Sequence, residues 1–301
     1  MQETSLYRNP CSWGFYYLNL TELRLQYPEA KEWELREIEA LLQSKGGDTV
    51  NARVLLVDIE TSPNLGYVWG KWEQDVIDFH QEWFMLCFAY KWLGEKRTRS
   101  VALPDFNGYK KDKMNDKKLL FCLRAILDKA DFVIAHNGDK FDFTKINTRL
   151  VFHGFTPPAP FQTVDTCKVA RAKFGFNSNK LDDIGRYLNL GRKIHHIGFP
   201  MWLGCMSGDE ASWKMMRKYN EKDVDLLELV YMKLRPWMTN HPNFNVITGE
   251  LDACPRCRFP KLMKRGFSIT KTGVKQRYQC CDPKCGAYSH GKSSSIRNII
   301  R

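Results

Sequence analysis

The feature that most constrains the fold is an aliphatic run at residues 53–59 (RVLLVDI), which ends abruptly at Asp58 and Glu60. A short uninterrupted run of aliphatic residues predicts a strand that is buried on both faces of a sheet. Residues two apart in a strand project from the same face, so the two carboxylates stand side by side. At a few ångströms they repel each other by roughly 1 to 4 kcal/mol. The pattern therefore predicts a positively charged partner at the end of this strand.

Further periodic segments follow this strand and are separated by polar breaks. Apolar and aromatic segments predict more strands, and segments with apolar residues at helical spacing predict helices between the later strands. This order indicates an α/β fold, in which helices pack on a sheet. The predicted strands are 53–59, 82–92, 98–103 and 131–137, and the predicted helices are 116–129, one from about 141, 180–190, and one from 216 towards Pro236.

Two other patterns add acidic residues that could join the first pair. A short strand runs into Asn137, Phe141 and Asp142 (AHNGDKFD). In the late helix, Tyr219 and Asp223 are four residues apart and therefore share one face. Carboxylates are hard oxygen ligands that suit Mg²⁺ or Mn²⁺. Alone, the spacing of Asp58 and Glu60 and that of Tyr219 and Asp223 are each expected about once in a chain of this composition, and two solvated acids in a loop are the alternative for the first pair.

The three patterns lie in this order on a strand, a strand-to-helix turn and a late helix, and they resemble the three motifs of the DEDD superfamily of 3′–5′ exonucleases. The tyrosine before the last aspartate resembles the DEDDy branch, which includes the proofreading domain of family B DNA polymerases. The resemblance covers residues 53–237, and it is closer still to stand-alone exonucleases that are often encoded by phages. It implies a ribonuclease H-like fold, with a mixed sheet flanked by helices.

The resemblance also implies that four carboxylates, those of Asp58, Glu60, Asp142 and Asp223, form one site for divalent cations, and it implies a role for each residue. Asp58 would bridge two Mg²⁺ or Mn²⁺ ions, Glu60 and Asp223 would complete the site of the nucleophilic water, and Asp142 would support the second ion through water. Two such ions can stabilise the attacking and the leaving oxygen of a phosphodiester. Tyr219, whose ordinary pKa is about 10, would orient the water at neutral pH rather than remove its proton. The residues expected to contact the 3′-terminal nucleotide are Thr61, Asn137 and Phe141, although Phe141 could equally be a core residue.

Three histidines near these motifs invite a catalytic interpretation. His136 precedes the asparagine of the second motif, whereas the histidine branch of the superfamily carries its histidine before the last aspartate, so a structural or hydrogen-bonding role is expected. His195 and His196 fall in a predicted loop, and a solvated loop is the expected environment for both.

The cysteines predict a second metal site. Five of the ten cysteines lie within residues 254–285 and the other five are scattered, which suits a reducing compartment better than a disulfide framework. Cys254 and Cys257 form one pair, and Cys285 with either Cys280 or Cys281 forms the other. Four thiolates suit one structural Zn²⁺, and so short a segment has too little core to fold otherwise. The segment resembles a zinc ribbon of the kind found beside transposases and other DNA-acting enzymes, and that register selects Cys280.

Positive charge is concentrated in the same segment. Residues 251–301 contain twelve Lys or Arg and two Asp, so most of the formal net charge of +12 lies there. Basic residues interleaved with aromatic ones predict contact with a polyanion, most often nucleic acid. A structural cap or a protein-docking ribbon is the alternative. The residues expected at this surface are Lys261, Lys264, Arg265, Lys271, Lys275, Arg277 and Lys292, with Phe267, Tyr278 and Tyr288 among them.

The chain is expected to divide into four parts. Residues 1–50 hold an aromatic-rich opening and a helix after Pro28, and they could form an adaptor or pack on the next domain. Residues 51–238 hold the exonuclease domain, 239–252 a linker and 253–301 the zinc ribbon. No run of 18 apolar residues occurs and the first thirty residues lack a signal-peptide pattern. A soluble cytoplasmic protein without membrane contact is expected, in the host cytoplasm if the protein is phage-encoded.

Together these patterns predict a metal-dependent 3′–5′ exonuclease that favours DNA over RNA, with a zinc ribbon that aids binding. A separate DNA polymerase, or a protein of replication, repair or recombination, could be a partner. A structure-selective endonuclease on the same scaffold is one alternative, because a metal cluster alone does not impose end recognition. A nucleic-acid-binding adaptor with an inactive nuclease body is another, and the complete set of four acids and Tyr219 argues against it.

Overall fold

The computed structural model describes residues 24, 32, 35 and 36 and the ranges 52–72, 75–194, 197–249, 252–270 and 273–294. The chain forms two compact units, Met1–Thr49 and Val50–Arg301. In the first unit, the four described residues are helical, and Glu32 forms ion pairs with Arg24 and Arg36. The predicted aromatic opening of the chain lies outside the described residues, as do His195, His196, Lys271 and the side chain of Lys292.

The second unit contains the sheet and the helices that its sequence predicts, and its fold is the mixed α/β fold expected from the sequence. Its strands are β1 (Val54–Thr61), β2 (Leu65–Tyr67), β3 (Asp78–Gln81), β4 (Met85–Trp92), β5 (Arg99–Ala102), β6 (Phe132–Ala135), β7 (Gln162–Asp165), β8 (Leu262–Thr270), β9 (Gly273–Cys280) and β10 (Tyr288–Ser294). Its helices are α1 (Lys117–Leu127), α2 (Asp142–Phe152), α3 (Thr166–Lys173), α4 (Leu181–Tyr187), α5 (Pro200–Ser207), α6 (Glu210–Leu234) and α7 (Asn245–Thr248).

The central sheet has five strands in the order β5-β4-β1-β6-β7. Strand β1 is antiparallel to β4 and parallel to β6, so the sheet changes from antiparallel to parallel at β1. The pairing with β6 ends at Leu56 and Ile134, whereas the pairing with β4 continues past Glu60. The last residues of β1 therefore have no β6 neighbour in the ladder, and a crevice opens on that side, where ligands bind in open α/β sheets.

The core lies between this sheet and α6. Asp209 begins α6 because its side chain accepts a hydrogen bond from Ser212 N, which is an ordinary N-cap. Leu56 and Ala89 of the sheet and Val224 of α6 are fully buried in one cluster. Burial of each such aliphatic side chain contributes about 1.5 to 3 kcal/mol. This packing holds the middle of α6 against the end of β1.

Two regions differ from the simplest interpretation of the sequence. Strands β2 and β3 form an antiparallel hairpin between β1 and β4, which hydrophobic periodicity does not reveal because both strands are exposed. Within residues 239–252, for which the sequence predicts a linker, α7 forms, and the ring of Phe244 lies 5.0 Å from that of Phe132 in the core. A large apolar ring stabilises this segment by burial.

The C-terminal residues form a separate three-stranded antiparallel sheet in the order β10-β9-β8. A β-bulge interrupts the β8–β9 ladder between Lys264 and Phe267. Among the described helices, none combines the length and the apolar character needed to span a bilayer.

Candidate active site and cysteine cluster

The end of β1 and the middle of α6 bring three carboxylates together. Asp58 and Glu60 come from β1, and Asp223 reaches them from α6. One carboxylate oxygen of each residue lies within 4.8 Å of an oxygen of the other two. The first and third sequence patterns, which are 160 residues apart in the chain, thus meet because α6 packs on β1.

The fourth predicted carboxylate, Asp142, lies beside this group. It is the first residue of α2 and is 3% exposed. Its Oδ1 accepts a hydrogen bond from Ile59 N at 3.2 Å, so it is fixed to the backbone between Asp58 and Glu60. Among the described residues, the group with mutual separations below 4.8 Å comprises the other three acids and leaves Asp142 outside. An indirect contact with a cation, which the resemblance implies for Asp142, is compatible with this position.

Burial raises the pKa values of all four acids, and neighbouring carboxylates add to this effect. Burial, with the added charge of Asp223, raises the pKa of Glu60 to about 8. Burial raises the pKa of Asp142 to about 7. The pKa of Asp58 is raised by burial and then by the three neighbouring acids, and burial also raises that of Asp223 although Lys193 opposes the shift. Such a cluster retains protons until cations replace them.

One oxygen of Asp223 indicates where a cation fits. Asp223 is 1% exposed, and its Oδ1 has no hydrogen-bond partner among the described residues. A buried charged oxygen that lacks a hydrogen-bond partner destabilises the folded state by several kcal/mol. Asp58, Glu60 and Asp223 together offer hard oxygen ligands at one point, which is the donor set that Mg²⁺ and Mn²⁺ prefer. These residues therefore fit a divalent cation.

Lys193 is a site residue that the sequence patterns do not reveal. Its Nζ donates to Tyr219 Oη at 3.1 Å and forms an ion pair with Asp223 Oδ2. Burial alone would lower the pKa of Lys193, but the charge of Asp223 raises it above its ordinary value. Its backbone N donates to Asp182 Oδ1 at 2.7 Å, which anchors the loop. The only signal in the sequence is a pair of basic residues, Arg192 and Lys193, in the loop between the second and third motifs.

Asn220 is a second residue that sequence reasoning missed. It is fully buried, and its Nδ2 donates to Asp58 Oδ2 at 2.6 Å and to Asp58 O at 3.3 Å. The Cys87 thiol donates to Asn220 Oδ1 at 3.7 Å, which fixes the orientation of the amide. The Asn220 amide therefore orients the Asp58 carboxylate through Oδ2 and leaves Oδ1 of Asp58 for a ligand.

Two aromatic residues flank the acids. Burial, together with the charge of Asp223, raises the pKa of the Tyr219 hydroxyl above its ordinary value, so this group stays protonated at neutral pH. Trp202 of α5 donates a side-chain hydrogen bond to Glu60, and its ring lies 6.2 Å from that of Tyr219. The sequence offers no signal for Trp202, because the contact depends on how α5 packs on α6.

The loop of the second motif is held by Asp165, the last residue of β7. Its Oδ1 accepts hydrogen bonds from Asn137 N and, as the N-cap of α3, from Cys167 N, each at 2.9 Å. Asn137 has a φ of 64°, a left-handed conformation that asparagine tolerates better than most residues. Both ring nitrogens of His136 are occupied, by Thr166 Oγ1 and by Asn179 O at 2.8 Å. Because burial also lowers the pKa of His136, it is a neutral structural residue.

The remaining predicted substrate residues, Thr61 and Phe141, lie at the rim of the site. Thr61 is half-buried at the end of β1, and Phe141 is 41% exposed directly before Asp142. A cavity of about 340 Å³ opens next to the acids. It is lined by Asp58, His136, Lys180, Leu181, Asp182 and Lys193.

The profile of the RNase H superfamily matches residues 84–235, which is half of the chain. The protein belongs to the RNase H superfamily. The match includes Asp142, Tyr219 and Asp223, and it begins after Asp58 and Glu60. The chain is also similar to the family B DNA polymerase of the hyperthermophilic archaeon Pyrobaculum calidifontis, with 14% identity and a TM-score of 0.43, over 78% of this chain and 34% of the polymerase. The chain thus spans about a third of that polymerase. A search of curated proteins gave no match.

The cysteine cluster lies outside the part of the chain that matches the RNase H superfamily. The Sγ atoms of Cys254, Cys257, Cys280 and Cys285 lie within 4.8 Å of one another, whereas Cys281 is not in this group. Measured separations are 3.5 Å for Cys257–Cys280 and 4.0 Å for Cys254–Cys285. Four sulfurs bound tetrahedrally to zinc at about 2.3 Å would be about 3.8 Å apart. The donor set and the spacing therefore fit one Zn²⁺.

Basic side chains cover the sheet beside the cysteines. Arg265 Nε donates to Gln279 Oε1 at 2.9 Å, and Arg277 Nε donates to the Arg265 carbonyl at 2.8 Å. The Arg277 guanidinium lies 5.8 Å from the centre of the Tyr288 ring. Phe267 is 63% exposed on the same small sheet. Of the other predicted contacts, Lys264 is exposed and Lys275 is half-buried.

Proposed function

We propose that this RNase H superfamily protein is a metal-dependent 3′–5′ exonuclease that hydrolyses the phosphodiester bonds of nucleic acid, with DNA favoured. The observation that carries the proposal is the convergence of Asp58, Glu60 and Asp223 within 4.8 Å, with Asp142 bonded to the intervening backbone. Lys193 pairs with Oδ2 of Asp223, but Oδ1 is buried with no hydrogen-bond partner among the described residues, which favours a metal.

In the proposed mechanism, Asp58, Glu60 and Asp223 would hold two Mg²⁺ or Mn²⁺ ions, and Asp142 would support the second. When bound, such ions would activate the attacking water and neutralise the charge that develops on the phosphodiester in the transition state. Asn220 keeps Asp58 in one orientation, so the ligand oxygens are in place before substrate arrives. The protonated hydroxyl of Tyr219 donates a hydrogen bond that orients the attacking water or a phosphate oxygen. Lys193 balances the charge of Asp223 and holds the Tyr219 oxygen in position.

The choice of a 3′ end is proposed to depend on the rim of the site. Asn137, held in its loop by Asp165, and the exposed ring of Phe141 would contact the terminal nucleotide. The cavity beside Asp58 has a volume of about 340 Å³, which is the size range of small-ligand sites. A site that accepts a terminal nucleotide in this cavity would favour an end over an internal bond.

The cysteine cluster is proposed to bind one structural Zn²⁺ and to form a ribbon that grips nucleic acid. Lys264, Arg265, Lys275 and Arg277 would contact phosphates, and Phe267 would stack on a base. This surface would add affinity without sequence preference. A DNA polymerase or another protein of replication, repair or recombination is a proposed partner of this protein.

The test is digestion of matched substrates with Mg²⁺ or Mn²⁺ and with EDTA. A 5′-labelled linear strand should give a ladder that shortens from the 3′ end, and a covalently closed circle of the same sequence should stay intact. DNA and RNA strands, single and paired, give the preference in the same experiment. Cleavage of the circle would show that the protein is an endonuclease rather than an exonuclease. No cleavage of any substrate would reject the proposal.

A further inference from the structure

The segment that contains α3 and α4 concentrates positive charge outside the cysteine cluster. Residues 168–193 contain seven Lys or Arg and two Asp. Residues 1–250 as a whole contain 34 Lys or Arg and 32 Asp or Glu, so the remainder of that part of the chain is net negative. The basic segment, defined here as residues 168–193, is therefore a local positive patch on a body that is otherwise acidic.

Several of these charges are not neutralised within the fold. Both aspartates of the basic segment pair with Arg186. Arg171 and Lys173, in the last turn of α3, and Arg192, in the loop after α4, are exposed and form no ion pair with a described residue. Solvated side chains are the ordinary state of such a patch, but unpaired like charges repel each other and a polyanion would bind them favourably.

Four aromatic rings form a row beside these charges. The ring of Phe176 lies 5.3 Å from those of both Tyr187 and Phe174, and the Phe174 ring lies 5.7 Å from that of Trp237. Phe174 and Phe176 are half-buried against the core, whereas Tyr187 is 73% and Trp237 is 63% exposed. The inner pair therefore supports the outer pair and leaves two large rings for a ligand. These four residues are called the aromatic row below.

One end of the aromatic row lies close to the acid site. Lys180 and Leu181 line the cavity beside Asp58. Leu181 is also the first residue of α4, and Tyr187 is its last. At 1.5 Å per residue, about 9 Å of helix separate the wall of the cavity from Tyr187.

The other end of the aromatic row lies next to the cysteine cluster. Arg256, between Cys254 and Cys257 in the chain, donates through Nη1 to the carbonyl of Pro236. Pro236 directly precedes Trp237. The row and the basic residues beside it therefore extend from the acid site to the proposed ribbon, whose own surface is also basic.

We propose that a nucleic acid lies along the aromatic row, between the acid site and the proposed ribbon. Arg171, Lys173 and Arg192 contact its phosphates, and Tyr187 and Trp237 contact its bases or sugars. The inference rests on the proposed exonuclease function for the end of the strand, which would lie in the cavity. From the cavity to Trp237 the path is about 25 Å long, or about seven nucleotides at 3.4 Å each.

The charges are tested by fluorescence anisotropy with zinc-loaded protein and a fluorescein-labelled DNA of about thirty nucleotides, several times the length of the path. Mg²⁺ and Mn²⁺ are left out, so no hydrolysis occurs, and the DNA is used both as a single strand and as a duplex, because phosphates are common to both. Arg171→Gln/Lys173→Gln should bind at least about tenfold more weakly, and its slope of log affinity against log salt should be less steep by about 1.5, as expected for two lost phosphate contacts.

Lys110→Gln/Lys111→Gln is the matched control for the charges. It removes the same charge from exposed positions in the loop that follows β5, at the opposite edge of the sheet from β7, which leads into α3. This control should bind with the affinity and the salt slope of the wild type.

The rings are tested with the single strand. Tyr187→Ala should bind it at least about fivefold more weakly, since each stacked base adds to the affinity. Trp72→Ala, which removes a ring that is 84% exposed outside the aromatic row, is the control and should bind normally. A wild-type melting temperature and one bound zinc show that each variant is folded.

Hydrolysis separates this proposal from the proposed exonuclease function. With Mn²⁺, Arg171→Gln/Lys173→Gln should raise KM on the long strand and leave kcat unchanged. Thymidine 5′-monophosphate p-nitrophenyl ester, too small to reach the aromatic row, should be hydrolysed at the wild-type rate. If no protein hydrolyses either substrate, the exonuclease proposal fails, and the binding results still decide whether nucleic acid lies along the row. An affinity and a salt slope equal to those of the lysine control would overturn the inference and leave an acidic protein as the occupant.

Discussion

The two candidate metal sites are built in opposite ways. Asp58, Glu60 and Asp223 are positioned by a five-stranded sheet and a 25-residue helix whose core does not involve them. The cysteine cluster has almost no core besides its own sulfurs, since Cys254, Cys280, Cys285 and Ala287 form the buried group there. The acid site therefore belongs to a fold with its own core, whereas the cysteine segment, which we propose to be a zinc ribbon, would depend on its metal site to fold.

Loss of a cysteine should have the largest effect, because it removes the ribbon itself. Structural zinc contributes roughly 10 to 16 kcal/mol of apparent binding free energy in small zinc modules. Cys254→Ser should abolish stoichiometric zinc and expose residues 252–294 to limited proteolysis, while the melting transition of the nuclease unit persists. Zinc content is measured by elemental analysis.

Cys281→Ser is the matched control for this comparison. Cys281 lies outside the four-sulfur group, so the variant should retain one zinc and resist proteolysis. Zinc loss in Cys281→Ser, with retention in Cys280→Ser, would show that the ligand assignment is wrong.

Replacement of an acid should stabilise the fold, whereas loss of a cysteine should destabilise it. Asp58→Asn keeps an oxygen that accepts the hydrogen bond of Asn220 and removes a carboxyl group whose ionisation is opposed by burial and by three neighbouring acids. We expect nuclease activity to be abolished and the metal-free protein to be stabilised by about 1 kcal/mol or more. Activity is followed on a 3′-labelled strand and stability by denaturant unfolding in EDTA. A destabilised variant would contradict the view that the fold holds the acids against their repulsion.

In the metal-free protein, the acid site should contribute less to the free energy of unfolding as the pH rises. The folded-state pKa values of about 8 for Glu60 and about 7 for Asp142 exceed the ordinary values of 4.5 and 3.8. The folded state therefore holds protons that the unfolded state releases, so this contribution is complete below about pH 4 and is lost as pH rises to about 8. Thermal melts without Mg²⁺ should show a falling melting temperature across that range. Mg²⁺, or the variant Glu60→Gln, should reduce the slope, and an unchanged slope would reject this explanation.

The contrast also explains what the sequence could predict. Asp58 and Glu60, or Tyr219 and Asp223, share a face because of strand and helix periods, so local spacing was sufficient. The cysteine pairs were visible for the same reason, and the choice of Cys280 follows from its buried place at the end of β9. Lys193 and Trp202 could not be predicted, because the conformation of a loop positions Lys193 and the packing of α5 on α6 positions Trp202.

The role of Asn220 could not be predicted from the sequence either, although the residue lies within the third motif. It directly follows Tyr219, but its function depends on facing Asp58 from a distant part of the chain. Partners that orient metal ligands typically contribute 10- to 100-fold to metal affinity. Asn220→Ala should weaken Mn²⁺ binding by a factor in that range, measured by calorimetry. Asn240→Ala, a change in an exposed turn, is the control and should bind Mn²⁺ normally.

The smallest expected effect concerns the basic face of the ribbon. Arg277→Ala should weaken oligonucleotide binding modestly and reduce the slope of log affinity against log salt by about 1, as expected for one lost phosphate contact. Lys96→Ala, an exposed change on the nuclease unit, should leave the slope unchanged. Equal slopes for all three proteins would remove Arg277 from the nucleic-acid surface.

The central claim, that the acids of β1 and α6 form a metal site, is tested most directly by the number of Mn²⁺ ions bound to zinc-loaded protein in an electron paramagnetic resonance titration. The wild type should bind two ions, and Asp58→Asn should lose high-affinity binding while keeping its zinc and its fold. If Asp58→Asn bound Mn²⁺ with the stoichiometry and affinity of the wild type, the acids at the end of β1 would not be the metal site.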